Sequence, residues 1–265
     1  MSISMPKTSR TLTSVSGAGR RVVLVEESVI AANAYSRPRA TAISFPGNCN
    51  CSGVSMQVFG GIISPFVRKL CLVLEEKGLP YELTQLPPHA QDAAFRAISP
   101  FGKIPALRDG DYGLSDSSAI IAYLEARHPE RPVLPAEACA RGRAMWFDEF
   151  ADTIFAHSGL KILFNRFVGP KLLKLPCDEA LAVEGEAELP ESFAYIESVA
   201  PESGWLLGED FTLADIAVAS VFRSLAYVGI TPDLPRTAAW YARVGERPSW
   251  RKIAEVEAYR PKKPQ

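Results

Sequence analysis

The sequence has almost no net charge: 29 Lys and Arg against 30 Asp and Glu leave −1 at pH 7. Nothing in that balance draws the chain to nucleic acid or to an acidic substrate. No apolar run approaches the roughly 18 residues that a membrane-spanning helix needs, so no membrane segment is expected. Cysteine is sparse and odd in number, five in 265 residues. Cys71, Cys139 and Cys177 lie far apart in apolar or helical contexts, which predicts reduced and mostly buried thiols in a cytoplasmic protein. Cys49-Asn50-Cys51 offers two metal ligands without a third, so no metal site is expected. Internal repeats are also missing.

What is present divides unevenly. Residues 1–55 are rich in Ser, Thr and Arg, carry only Glu26 and Glu27 as acids, and sum to +4, leaving −5 for the rest. A polar, unpatterned stretch of this kind cannot bury enough apolar surface to offset its ordering entropy, and disorder is expected. Its Arg- and Ser-rich, acid-poor make-up also fits a transit peptide; a functional arm and a stretch upstream of a native start at Met56 are the other two readings.

The most informative string runs from Met56 to Ser117. Met56-Gln57-Val58-Phe59-Gly60 reads as a short apolar strand that enters Ser64-Pro65-Phe66. Proline is tolerated at the first helical position, where its missing N–H goes unmissed, so a helix over 65–78 is predicted, ended by Gly78-Leu79-Pro80. The Ser64 hydroxyl then sits at a helix N-terminus, where free N–H groups and the dipole stabilise an anion. The alternative is a plain helix cap. Tyr81–Gln85 reads as a second strand, 91–98 as a short helix, and 104–108 and 111–114 as a hairpin about Gly110. In Lys103-Ile104-Pro105 a cis Ile104-Pro105 bond would turn the Ile104 backbone outward, able to pair with a peptide. Asp116-Ser117 opens a helix to about residue 128, and an acid there takes an ammonium while the helix start and a hydroxyl take a carboxylate. A cap alone is the other reading of that pair. Together the groups describe a receptor for a small thiol peptide with a free amino acid end.

Four blocks carry a resemblance: SPFVRKLCLVLEEKGLPYEL (64–83), SPFGKIPAL (99–107), LSDSSAIIAYLEARHP (114–129) and FTLADIAVAS (211–220). In this order and spacing they resemble the glutathione S-transferase superfamily over residues 56–258. The resemblance implies an α/β thioredoxin-like N-terminal domain followed by an all-α C-terminal helical domain, glutathione as co-substrate, attack of its thiolate on a small hydrophobic electrophile, detoxification as the role, and a homodimer. It implies Ser64 as the catalytic residue of a Ser-type, bacterial-like enzyme, a cis Pro105, Ile104 facing the cysteinyl part, Asp116 and Ser117 at the γ-glutamyl end, and Lys103 and His89 near the glycine carboxylate. The first strand and its loop hold no Tyr for a Tyr-type mechanism, and a thiol–disulfide exchanger wants Cys where Ser64 stands. Met56 falls where the family begins, which favours a native start there. A non-catalytic protein that binds glutathione, a hydrophobic ligand or a partner on the same scaffold is the competing reading.

The expected domains are 56–128, a linker over 129–137 with three prolines, and helices over 138–260. Ala138–Phe167 reads as one long helix with Trp146, Phe147, Phe150, Ile154 and Phe155 on one face. Asp178–Val199 follows, with a kink or break expected at Pro190. Thr212 and Asp215 form a capping box that starts an apolar helix through Tyr227, and helices near 235–245 and 248–258 end the chain. Arg68 and Lys69 read as surface or interface residues. If the helical domain faces the thiol, as in relatives, Phe155, His157 and Tyr227 are the candidates for its wall.

Overall fold

The computed structural model describes residues 56–258; the expectations for residues 1–55 lie outside them. Strand β1 (Met56–Phe59) is one of the two inner strands of a four-stranded sheet of order β2-β1-β3-β4. It runs parallel to β2 (Tyr81–Thr84) and antiparallel to β3 (Ala106–Asp109), which turns through Gly110-Asp111 into antiparallel β4 (Tyr112–Ser115). The parallel pair needs a crossover, and helix α1 (Pro65–Lys77) supplies it. Gly60 begins that crossover at φ 149°, and a Cβ there would lie 2.5 Å from Val67 Cγ2, so only glycine lets β1 pass this close to α1. Gly78 closes α1 in the left-handed region, with Leu79 N donating to Leu74 O at 2.9 Å.

Helix α2 (Ala93–Ile98) is capped by Asp92, and α3 (Ser117–Arg127) by Asp116. Val58, Val67, Leu70, Leu107, Ile120 and Leu124 form the centre of this domain, each at most 1% exposed. The linker is pinned by one carboxylate. Glu125 accepts from Val133 N and Leu134 N at 3.1 and 3.2 Å and from Lys77 Nζ at 2.7 Å.

The rest is helical. Helix α4 (Ala138–Glu149) continues through a π-helical stretch (Phe150–Phe155), α5 (Ala156–Leu163) and a second π-helical stretch (Phe164–Leu173). Helices α6 (Glu179–Val199), α7 (Leu213–Leu225), α8 (Pro235–Gly245) and α9 (Pro248–Ala258) follow, with a short 3₁₀ turn over Ala226–Val228. Twelve of the thirteen residues of α7 are buried, which puts it at the centre of the helical domain. Its capping box forms as expected from the sequence, and Asp215 also accepts from Leu206 N and Trp240 Nε1, both at 2.9 Å.

Several expectations are corrected. The long helix runs to Leu173 rather than Phe167, and its aromatic stripe is not continuous: Phe147, Phe150 and Phe155 are buried while Trp146 is 39% and Ile154 54% exposed. A π turn takes more residues than an α turn, so the face rotates inside it. Helix α6 does not break at Pro190. Pro190 and Glu186, whose carbonyl would have met its absent N–H, are both exposed, so water can satisfy that carbonyl. Cys71 is buried as expected, but Cys139 and Cys177 are exposed; all three are free thiols.

Candidate active site

Ser64 sits at the N-cap of α1 in extended conformation, with Pro65 in the first turn. Its backbone is fixed from both sides: Ser64 N donates to Gly61 O and Arg68 N to Ser64 O, both at 3.0 Å. Its hydroxyl is not used as a cap. Ser64 lies on the wall of a cavity of about 940 Å³. The helix start therefore offers a hydroxyl and its N-terminal field to the same space.

The other residues singled out from the sequence gather on that wall: His89, Lys103, Ile104, Asp116 and Ser117. The Ile104-Pro105 bond is cis, and Pro105 itself is buried and not part of the wall. The β1–β3 ladder ends at Phe59 and Ala106, so the Ile104 backbone lies just beyond it. Asp116 has φ 85°, a conformation that a non-glycine residue keeps only where its surroundings impose it. One carboxylate oxygen of Asp116 accepts from Ala119 N at 3.0 Å. It is thus a helix cap and a cavity residue at once. Ser117 beside it is 4% exposed. His89 (φ 60°) and Lys103 are both exposed, and His89 N donates to Gly102 O at 2.7 Å.

Asp152 is a wall residue that sequence reasoning did not single out. It reaches the cavity wall from the first π-helical stretch. Its Oδ2 accepts from Lys69 Nζ at 2.6 Å, and the same ammonium meets Asp148 Oδ1 at 2.6 Å. Ser118 donates to Asp148 Oδ2 at 2.6 Å. Burial pushes the Asp152 carboxyl up to about 6; Lys69 opposes this, and neighbouring Asp148 adds to it. One ammonium between two carboxylates fully compensates only one of them. The signal that was available is an i, i+4 pair of acids inside an aromatic stripe.

Lys69 and Arg68 are each 1% exposed, which corrects their reading as surface residues. Arg68 pairs with Glu257 of α9, and Arg223 Nη2 meets the same carboxylate at 2.7 Å. Burial lowers the Arg68 guanidinium to about 10, still protonated at neutral pH.

Facing Ser64, the cavity is closed by Leu160, Leu163, Phe164, Val168 and Leu172. All five belong to α5 or the second π-helical stretch, at positions that sequence reasoning did not single out. The candidates Phe155, His157 and Tyr227 are not on this wall. Phe155 turns into the helical core against Phe222, ring centres 4.8 Å apart, and Tyr227 packs on Phe167 at 5.0 Å. Both π-helical stretches contribute to the wall, so the helix departs from α geometry where it meets the cavity.

No helix among the described residues is long and apolar enough to cross a membrane. Residues 59–132 match the family model for the glutathione S-transferase N-terminal domain, and residues 144–243 the model for its C-terminal domain. Glutathione S-transferase 3 of Zea mays is 32% identical over 209 residues, 74% of this chain and 92% of the maize protein. A glutathione S-transferase structure from Rhodospirillum rubrum F11 is 28% identical, with a TM-score of 0.70 over 78% of this chain and 96% of its own. The structure of glutathione S-transferase-I bound with lactoylglutathione is 25% identical, with a TM-score of 0.66 over 77% of this chain and 100% of its own. With its thioredoxin-like domain followed by an all-helical domain, the chain belongs to the glutathione S-transferase family of enzymes, whose co-substrate is glutathione.

Proposed function

We propose that this chain is a Ser-type glutathione transferase that joins the glutathione thiolate to a small, uncharged, apolar electrophile. The observation that carries the reading is the Ser64 hydroxyl, free of any capping bond, between a polar wall and an apolar one. A free thiol has a pKa near 8.5, so little of it is thiolate at neutral pH. A hydroxyl donor and a helix N-terminus lower that by roughly one to two units. The thiol proton leaves to solvent, the sulfur lone pair forms the new C–S bond, and the electrophile's leaving group departs or its π-electrons shift. The Ile104 backbone pairs with the cysteinyl residue as an added strand. Asp116 takes the γ-glutamyl ammonium, and Ser117 with the start of α3 its carboxylate. Lys103 and His89 take the glycine carboxylate. Leu160, Leu163, Phe164 and Val168 receive the electrophile, and an apolar lining favours an uncharged one.

We also infer a homodimer in the cytoplasm, with detoxification as the role. Phe101 supports association: it is 79% exposed beside the cavity, a large aromatic surface left in water by a single chain. The experiment is turnover with glutathione across a panel of electrophiles of graded charge and size. The reading expects conjugation of uncharged aryl halides or enones and little of charged ones. Glutathione binding without turnover across the whole panel would favour the non-catalytic reading instead.

A further inference from the structure

The residue before Ser64 is held by the helical domain. Ser224 Oγ, on α7, donates to Ile63 O at 2.8 Å. That hydroxyl has one proton, and its lone pairs are engaged by Arg68 Nη1 at 3.1 Å. The other acceptor in its reach, Ser220 O, is more distant at 3.2 Å. The Arg68 guanidinium is itself fixed by Glu257, which Arg223 also binds. Ser224 is 2%, Arg68 1% and Glu257 8% exposed. The early part of the loop is tied to the sheet domain instead: Gly60 N donates to Thr84 O at 3.0 Å, and Ile62 N to Gln85 Oε1 at 3.1 Å. Among the described residues, Ser224 is the one hydrogen-bond partner of the Ile63 backbone.

We propose that Ser224, oriented by the Arg68–Glu257 pair, is a positioning residue that sets the placement of the Ser64 hydroxyl and so couples thiol activation to the helical domain. The inference rests on the reading of Ser64 given above. The physical case is leverage. Ile63 O and Ser64 N belong to one peptide plane. A rotation of that plane moves the Ser64 hydroxyl relative to the sulfur, and an ångström of misplacement costs about a hundredfold in rate. Without Ser224 the Ile63 carbonyl loses its protein donor and the plane is free to tilt toward water. Ser224 is buried in the last turn of α7, where Phe222 and Leu225 are buried as well.

The test uses the full chain with glutathione and an uncharged activated aryl chloride, comparing wild type, Ser224→Ala, Ser64→Ala and Ser220→Ala. Ser220 is a suitable control: it is as buried, one turn earlier on α7, and its hydroxyl donates to Ile216 O rather than to the loop. Two readouts are taken: the pH profile of kcat/KM, and the ultraviolet thiolate absorbance of bound glutathione without electrophile. Ser224→Ala is expected to raise the apparent pKa of the bound thiol by roughly half a unit to one unit and to lower kcat about tenfold near neutrality, with KM for glutathione unchanged. Ser220→Ala is expected to follow wild type in both, and adding Ser224→Ala to Ser64→Ala should shift the thiol less than Ser224→Ala does alone. A Ser224→Ala protein that loses melting temperature while its thiol titrates as in wild type makes Ser224 a structural residue only and overturns the inference, with Ser64→Ala still shifted. If Ser64→Ala also titrates as wild type, the reading of Ser64 has failed and the inference falls with it.

Discussion

Lys69 and Asp148 meet at 2.6 Å with their side chains 1% and 0% exposed, an ion pair joining α1 of the sheet domain to α4 of the helical domain. Asp152 is the second carboxylate on the same ammonium. Removing the cation leaves two acids facing each other with little water. We predict that Lys69→Met destabilises the fold by about 3–5 kcal/mol, the usual cost of stranding a buried charge. Adding Asp148→Leu and Asp152→Leu to it should recover part of that loss. Urea unfolding measures both, and a loss under about 1 kcal/mol for Lys69→Met would show that the acids are solvated enough to need no partner.

Asp215 gathers donors from three places: Thr212 N at 3.1 Å, Leu206 N at 2.9 Å and Trp240 Nε1 at 2.9 Å. It is 0% exposed. Asp215→Ala orphans all three donors, each with a desolvation penalty of roughly 1–3 kcal/mol, against a total stability of about 5–15 kcal/mol. The variant should therefore accumulate largely unfolded or melt far below wild type, as circular dichroism would record. A melting temperature within a few degrees of wild type would mean that relaxation or water has replaced Asp215.

The fold was legible because local and distant requirements coincide in its motifs. Ser64-Pro65 starts a helix by its own chemistry, Gly78 ends it, and Thr212 with Asp215 caps another. Each signal lies within a few residues. The cavity residues from 64 to 117 were legible for the same reason: they sit at the ends of elements that the sequence delimits. What escaped depends on contacts between distant segments. Lys69 looks like any surface lysine until Asp148 and Asp152 arrive from 79 and 83 positions away. Ser224 is one more small residue on an apolar helix until Ile63, 161 positions earlier, lies beneath it. The π-helical stretches carry no composition signal, so Asp152, Ile154 and the apolar wall around Phe164 could not be oriented by counting at 3.6 residues per turn.

Asp152 should make stability depend on pH. Its folded pKa is pushed up to about 6, chiefly by burial, above an unfolded value near 3.9. The folded state therefore holds this proton more tightly. The stability it contributes is full below about pH 4 and is lost as pH rises through about 6. Asp152→Asn mimics the protonated form and lacks that dependence. We predict that wild type loses ground relative to Asp152→Asn between pH 4 and pH 7, by on the order of 2 kcal/mol, after a discount for a side chain 20% exposed. Denaturant titrations of both proteins at several pH values give the difference. A constant difference would mean that Lys69 keeps Asp152 ionised throughout.

Asp116 separates charge from capping. Asn keeps an oxygen for Ala119 N and tolerates a positive φ, whereas Ala loses both advantages. Asp116→Asn should raise KM for glutathione by roughly tenfold, as for a lost charge-assisted hydrogen bond, with kcat and melting temperature nearly unchanged. Asp116→Ala should show the same KM and a further stability loss of about 1 kcal/mol. Steady-state kinetics with varied glutathione decides. A KM unchanged in Asp116→Asn leaves Asp116 as a cap and removes it from the glutathione site.

Ser64 should act on the thiol and not on its binding. Ser64→Ala keeps the turn bonds of Ser64 N and O, which are backbone bonds, and no side-chain cap is lost because none exists. The start of α1 and its field thus persist while the hydroxyl donor disappears. The thiol pKa of bound glutathione should rise by roughly one unit or more, and turnover at neutral pH should fall at least tenfold with the thiolate fraction. Affinity for glutathione should hold, since the contacts proposed for the peptide are with Ile104, Asp116 and Ser117. Raising the pH should restore much of the rate, because the thiol then ionises without help. Ser64→Cys should gain thiol–disulfide exchange with glutathione disulfide and lose conjugation, since a thiolate at that position attacks one sulfur of the disulfide and releases the other as glutathione thiolate. The measurement is a pair of pH–rate profiles read beside the thiolate absorbance of the bound tripeptide. Superimposable profiles for wild type and Ser64→Ala would leave the helix field, without the hydroxyl, as the activating group.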